Sequence, residues 1–91
     1  MKFQYEMVVS GKVQGVGFRY FARKRAQEHG ITGYVRNLPG REVLVVAEGD
    51  VTDLDTYADH LRLGPPMARV TGFSIAKSPY SGAYDDFIIR F

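Results

Sequence analysis

A chain of 91 residues, 45% of them hydrophobic, has apolar material for one small domain, and we expect residues 1–91 to form it. The net charge of +2, from 12 basic and 10 acidic residues, gives no indication of a nucleic-acid or membrane partner. The lack of cysteine excludes disulfides, and two separated histidines argue against a metal site. The N-terminal segment does not resemble a signal peptide, so we expect a cytoplasmic protein, and we expect it to be a monomer.

The first half of the chain predicts a strand, a helix and a hairpin. Residues 3–10 alternate apolar and polar side chains, which is typical of a strand with one buried face. The glycine-rich stretch GKVQGVGFR occupies residues 11–19, and residues 18–30 have the apolar spacing of a helix that stops at a His-Gly pair. Residues 31–38 and 42–49 are rich in β-branched side chains and flank a Pro-Gly turn, so they predict a β-hairpin.

The second half predicts one helix and two strands. Apolar residues between 54 and 61 follow helical spacing, and either Asp50 or Thr52 can cap that helix. Residues 68–76 and 86–91 have the composition of strands, with a loop between them. The order is therefore β-α-β-β-α-β, with the division near the fourth strand left open. Right-handed crossovers put both helices on one face of an antiparallel sheet, which predicts an α+β, ferredoxin-like two-layer sandwich.

The glycine-rich stretch lies between the first strand and the first helix. Gly15 and Gly17 can adopt positive φ angles, which lets successive backbone N–H groups surround an anion. The helix that follows adds its free N–H groups, and the Arg19 guanidinium can bind two phosphate oxygens. A tight turn with an ordinary surface arginine explains the same spacing. A nucleotide P-loop does not, because no Gly-Lys-Ser/Thr sequence ends the stretch.

Two motifs in the chain resemble the signatures of the acylphosphatase family. GKVQGVGFR at 11–19 resembles the family's signature loop, and GYVRN at 33–37, followed by Val43 and Gly49, resembles its second signature. The chain length and the predicted element order also match the family's fold. The resemblance implies hydrolysis of small acyl phosphates to a carboxylate and inorganic phosphate, without a metal or cofactor.

The resemblance also implies roles for particular residues. Arg19 would bind the phosphoryl group, and Asn37 would hold the attacking water. Without the resemblance, Asn37 is simply a polar residue that ends a strand before a turn. The phosphate loop would consist of the backbone of Gln14, Gly15, Val16, Gly17, Phe18 and Arg19.

The reaction chemistry agrees with this small set of residues. An acyl phosphate has a good leaving group, so the enzyme needs to neutralise phosphoryl charge and place water in line rather than supply a strong acid. Inorganic phosphate, as the product, is expected to bind the same loop and inhibit. The acyl group of the natural substrate is not predicted, because the loop would hold the phosphoryl end that all acyl phosphates share.

One position departs from the family pattern. Arg41 stands where the family usually has a glycine, and the glycine is one residue earlier, at Gly40. A Gly-x pair favours a type II′ hairpin turn, so we expect a reshaped hairpin tip beside an intact site.

Two other functions fit the same element order. An RNA-recognition module shares the topology, although residues 42–49 contain no aromatic side chain on which a base could stack. A non-catalytic domain could keep the loop only to sense an anion. Tyr80 and Tyr84, in the last loop, either border the site or cover the sheet.

Overall fold

The computed structural model describes residues 1–91 and contains five strands and two helices. Neither helix combines the length and the apolar character needed to span a membrane. The elements in chain order are β1 (Lys2–Lys12), α1 (Phe18–Glu28), β2 (Thr32–Asn37), β3 (Val43–Asp50), α2 (Val51–Leu63), β4 (Arg69–Pro79) and β5 (Phe87–Arg90).

The five strands form one sheet in the order β4-β1-β3-β2-β5. β1 pairs antiparallel with β3 and β4, and β2 pairs antiparallel with β3. β4 extends to Pro79, beyond the predicted end at residue 76, because Lys77, Ser78 and Pro79 remain paired with β1. Both helices pack on the sheet, so the predicted α+β ferredoxin-like sandwich is confirmed.

The expectation of a purely antiparallel sheet is wrong at one edge, where β5 pairs parallel with β2. The cause lies in the path of the chain between β4 and β5, which are at opposite edges of the sheet. Residues 80–86, which we call the crossing segment, pass over β3 and β2 directly to the far edge. β5 therefore runs antiparallel to β4, and hence parallel to β2.

The core lies between the sheet and the helices. Alternate β1 residues Tyr5, Met7 and Val9 are fully buried and lie opposite Ala47, Val45 and Val43 of β3, which are also fully buried. This matches the period-2 pattern read from the sequence. The helices contribute Phe18, Ala22 and Ala26 from α1 and Leu54, Tyr57, Ala58 and Leu61 from α2.

Two buried tyrosines join the layers through their hydroxyl groups. Tyr57 of α2 donates to the carbonyl of Ala22 in α1 at 2.8 Å, and its burial raises the pKa of the phenol well above its usual value. Tyr5 of β1 donates to Asp55 at 2.6 Å; burial and then this carboxylate raise the pKa of Tyr5 to about 12. These bonds fix α1 against α2, and α2 against the sheet.

The crossing segment is anchored by Glu48, the only buried charged residue. Its carboxylate accepts hydrogen bonds from Ser81 N and Oγ at 2.9 and 2.7 Å, from Gly82 N at 3.0 Å and from Gln4 Nε2 at 2.7 Å. Burial alone would raise the pKa of Glu48, but these hydrogen bonds outweigh it and hold the pKa below its usual value. Tyr84 packs on Tyr34, so it covers the sheet.

We expect Glu48→Gln to lower the free energy of unfolding at pH 7 by about 2–3 kcal/mol, because two backbone donors lose a charged acceptor. The folded-state pKa of Glu48 lies below the unfolded value. Its stabilisation is therefore complete above about pH 4.5 and is lost as the pH falls through the folded-state pKa. The free energy of unfolding, measured with urea from pH 7 to pH 3, should therefore fall less steeply with falling pH in Glu48→Gln than in the unmodified protein.

The matched control is Glu6→Gln, which changes an exposed carboxylate on neighbouring β1. Equal stability losses in the two variants, or the same acid dependence in Glu48→Gln and the unmodified protein, would contradict the anchoring role of Glu48.

Candidate active site

The loop between β1 and α1 depends on two glycines in the left-handed region. Gly15 has φ 73° and Gly17 has φ 79°, as predicted for these positions. A residue with a side chain would be strained there by roughly 1–2 kcal/mol. The two positive φ angles turn the chain sharply from the strand into the helix while the loop backbone stays at the surface.

Buried side chains hold both ends of this loop. Val13 precedes it and Phe18 follows it, and each is 1% exposed. Val16, in the middle, is partly buried and packs against the same core. Three apolar side chains therefore fix a loop that has no regular secondary structure, and the exposed part is the backbone around Gly15 and Gly17.

The backbone N–H groups of residues 15–19 have no hydrogen-bond partner in the protein; the first paired amide is that of Phe21, which donates to Gly17 O at 3.0 Å. α1 has no side-chain cap and no acidic residue in its first turn. α2 differs, because Asp50 caps it by accepting from Thr52 N at 3.0 Å. The start of α1 thus presents free donors and the positive end of a helix dipole.

Arg19 lies in the first turn of α1, and its guanidinium contacts the C-terminal end of β5 and the residue that follows it. Its Nη1 donates to the carbonyl of Arg90 at 3.3 Å, and its guanidinium lies 4.8 Å from the centre of the Phe91 ring. No carboxylate forms an ion pair with it. The positive charge is therefore oriented but not neutralised. The sequence did not predict the contacts with Arg90 and Phe91, because these residues are 71 and 72 positions from Arg19 in the chain.

Asn37 is the last residue of β2, and its side chain is partly buried. The Oδ1 atom is fully buried and accepts no hydrogen bond within the protein. A buried, unpartnered oxygen is costly in a folded protein, so this atom is a candidate acceptor for a water or a ligand.

The residues that carry these groups line a single cavity of about 210 Å³. It contains five of the predicted site residues, whereas Gln14 and Val16 lie outside its lining. The lining consists of Val13, Gly15, Gly17, Phe18, Arg19, Tyr20, Asn37, Ile89 and Phe91.

The side chain of Gln14 connects the loop to the β2–β3 hairpin. Its Nε2 donates to Leu38 O at 2.9 Å and to Glu42 O at 2.8 Å. The same hairpin is closed by Leu38 N, which donates to Glu42 O at 2.8 Å. Because Leu38 directly follows Asn37, this clamp fixes the end of β2 relative to the loop that precedes Arg19.

The tip of the hairpin differs from the predicted type II′ turn. Both Gly40 and Arg41 have positive φ, 85° and 71°, whereas a type II′ turn needs a positive φ only at its first central residue. Pro39 followed by a glycine with positive φ is typical of a type II turn, and Arg41 then takes a left-handed conformation before Glu42 pairs with Leu38. Arg41 thus occupies a conformation that glycine adopts without strain.

The family model described as Acylphosphatase matches residues 5–89. The chain belongs to the acylphosphatase family. An acylphosphatase of Archaeoglobus fulgidus is 44% identical over 86 residues, which is 94% of this chain and 96% of that protein. The crystal structure of acylphosphatase from Bacillus subtilis is 34% identical and superposes with a TM-score of 0.95 over all of both chains. An acylphosphatase structure from Coxiella burnetii is 37% identical, with a TM-score of 0.92 over 98% of this chain and 93% of that one.

These likenesses confirm the predicted family, the predicted fold and the predicted enzyme class. Membership of the acylphosphatase family supports hydrolysis of acyl phosphates as the activity and small acyl phosphates as the substrates. No three or more His, Cys, Asp or Glu side chains are grouped so as to hold a metal ion.

We expect Gln14→Ala to lower the free energy of unfolding by about 1–2 kcal/mol, because two hydrogen bonds between the acylphosphatase loop and the hairpin are lost. Hydrogen exchange at the Leu38 amide should become faster, since the clamp no longer supports that end of the hairpin. Gln27→Ala, at an exposed position of α1, is the control. Unchanged Leu38 exchange in Gln14→Ala would show that the loop does not brace the hairpin.

Proposed function

We propose that the chain hydrolyses acyl phosphates by attack of a water held by Asn37 on a phosphoryl group held by the backbone of residues 14–19 and by Arg19. One observation carries the proposal. Residues 15–19 carry consecutive unpaired amides, Arg19 has no carboxylate partner, and Asn37 has an unpartnered carboxamide oxygen. All of these residues except Val16 line a single cavity.

The phosphoryl group is bound by the loop and the start of α1. Its equatorial oxygens accept from the free amides, which also gives α1 the N-terminal cap that it otherwise lacks. The Arg19 guanidinium donates to two oxygens in a bidentate manner and neutralises charge. Because β5 already orients this guanidinium, little conformational freedom is lost when substrate binds.

The attacking water is held by Asn37. Its Oδ1 accepts a hydrogen bond from the water and so turns an oxygen lone pair toward phosphorus. The water oxygen forms the new bond to phosphorus, and the bond from phosphorus to the acyl oxygen breaks. The carboxylate leaves with the electron pair. A carboxamide is too weak a base to keep the proton of the water, so a phosphoryl oxygen accepts it.

Further properties follow from the same proposal. Residues 1–91 act as one catalytic unit, and inorganic phosphate inhibits by occupying the loop. No metal ion takes part. The monomeric state and the cytoplasmic location stay predictions.

The RNA-binding alternative is disfavoured, because the crossing segment lies over the sheet face on which bases would stack.

We expect the purified protein to hydrolyse benzoyl phosphate in EDTA. Arg19→Ala should lower kcat/KM by at least about 1,000-fold and abolish phosphate binding, because the arginine neutralises charge in both the substrate and the transition state. Asn37→Ala should lower kcat by at least about 100-fold while phosphate still binds, because the loop and Arg19 remain. Steady-state kinetics and phosphate titration measure both effects.

Controls for these variants come from neighbouring exposed residues. Lys24 is on the same helix as Arg19, and Arg36 precedes Asn37 on the opposite face of β2. Lys24→Ala and Arg36→Ala should both hydrolyse benzoyl phosphate at close to the rate of the unmodified protein. Full turnover in Asn37→Ala would reject its role in holding water. Phosphate binding by the unmodified protein without turnover of any acyl phosphate would identify an anion sensor instead.

A further inference from the structure

The two histidines of the chain meet where the C-terminal end of α1 lies beside α2. His29 directly follows α1, and His60 is in the last turns of α2. The centres of the two imidazole rings are 5.5 Å apart, and the ring planes are inclined by 37°. Their wide separation in the chain argued against a metal site, but in the folded protein the two rings are neighbours.

The ring nitrogens of this pair are free to bind a ligand. Neither ring takes part in a side-chain hydrogen bond or an ion pair within the protein, and Glu28, next to His29, is paired with Arg25 instead. Both histidines are partly exposed, so an ion can reach them from solvent. Neutral imidazole is the commonest metal ligand in proteins.

The distance between the rings fits a single metal ion. Imidazole nitrogens bind Zn²⁺ at about 2.0–2.1 Å with a roughly tetrahedral arrangement, which puts the centres of two such rings about 5–5.5 Å apart. Rotation about each metal–nitrogen bond leaves the angle between the ring planes free. The observed 5.5 Å therefore lets one ion contact both rings with little movement of the helices.

We propose that His29 and His60 together bind one divalent transition-metal ion of the kind that imidazole favours, such as Zn²⁺, Ni²⁺ or Cu²⁺. No group of three or more His, Cys, Asp or Glu side chains is present, so waters complete the coordination. With two protein ligands, the dissociation constant for Zn²⁺ should be on the order of 10–100 μM, weaker than that of a four-ligand structural site.

The metal site is remote from the proposed active site. Arg19 lies in the first turn of α1, and the length of the helix puts it roughly 15 Å from His29, at about 1.5 Å per residue. The ion therefore takes no part in catalysis, and the inference is independent of the proposed function. Its effect is on stability, because the histidine pair exists in the folded protein and is separated in the unfolded chain.

The test is a titration of the full, untagged chain with Zn²⁺ in a buffer without phosphate or chelators. Calorimetry should give one ion per chain. In NMR spectra of the ¹⁵N-labelled protein, the ring nitrogens of both histidines should shift with the same dissociation constant. At 1 mM Zn²⁺, Tm should rise by at least about 5 °C, because the ion binds the folded state preferentially.

Single variants show whether both rings are needed. His29→Ala and His60→Ala should each weaken Zn²⁺ binding by at least about tenfold and remove most of the gain in Tm, because one imidazole is lost from a two-imidazole site. The matched control, Asp59→Asn, removes an exposed carboxylate beside His60 and should retain both effects.

Several results would overturn the proposal: Zn²⁺ binding by either histidine variant as tight as that of the unmodified protein, a shift of only one ring, or no binding up to 1 mM. The rings would then be aromatic neighbours that only pack together. The NMR measurement uses the unmodified protein and so decides the question even if a variant folds poorly. None of these results bears on the proposed function, which depends on the other end of α1.

Discussion

The proposed anion site depends on a set of unpaired main-chain donors at the start of α1. Backbone N–H groups of residues 15–19 have no partner in the protein, and no side chain caps the helix. α2 differs, because Asp50 caps it by accepting a hydrogen bond from Thr52 N. An uncapped N-terminus is electrostatically suited to an anion. The loop keeps this open form because Val13 and Phe18 anchor it in the core.

Residues far from the cavity determine its geometry through the sheet. Glu48 anchors the crossing segment, which carries the chain over the sheet to β5. The parallel pairing of β5 with β2 brings Arg90 and Phe91 beside Arg19, where they orient the guanidinium. The buried Glu48 carboxylate is thereby linked, through the crossing segment and β5, to the cavity at the end of β2. Its low pKa makes this arrangement sensitive to acid.

Local patterns in the sequence predicted the elements, and long-range contacts explain what they missed. The alternation in β1, the positive φ of Gly15 and Gly17 and the Asp50 cap all depend on neighbouring residues. Three features were missed: the parallel pairing of β5 with β2, the hydrogen bonds from the Gln14 side chain to the hairpin, and the burial of Glu48 under the crossing segment. Each depends on contacts between residues at least 24 positions apart, and no short sequence pattern encodes such contacts. For Arg41, the hairpin pairing of Leu38 with Glu42 overrides the residue's own preference for negative φ. Motif resemblance, rather than spacing, brought Arg19 and Asn37 together as a pair.

The most direct test of the central claim is a titration of the ¹⁵N-labelled protein with inorganic phosphate, followed amide by amide in NMR spectra. The amides of residues 15–19 should shift together and saturate with a single dissociation constant, while those at the capped start of α2 should stay in place. Shifts that do not saturate, or that spread over the basic surface of α1 without favouring the loop, would contradict the account of these amides as an anion site.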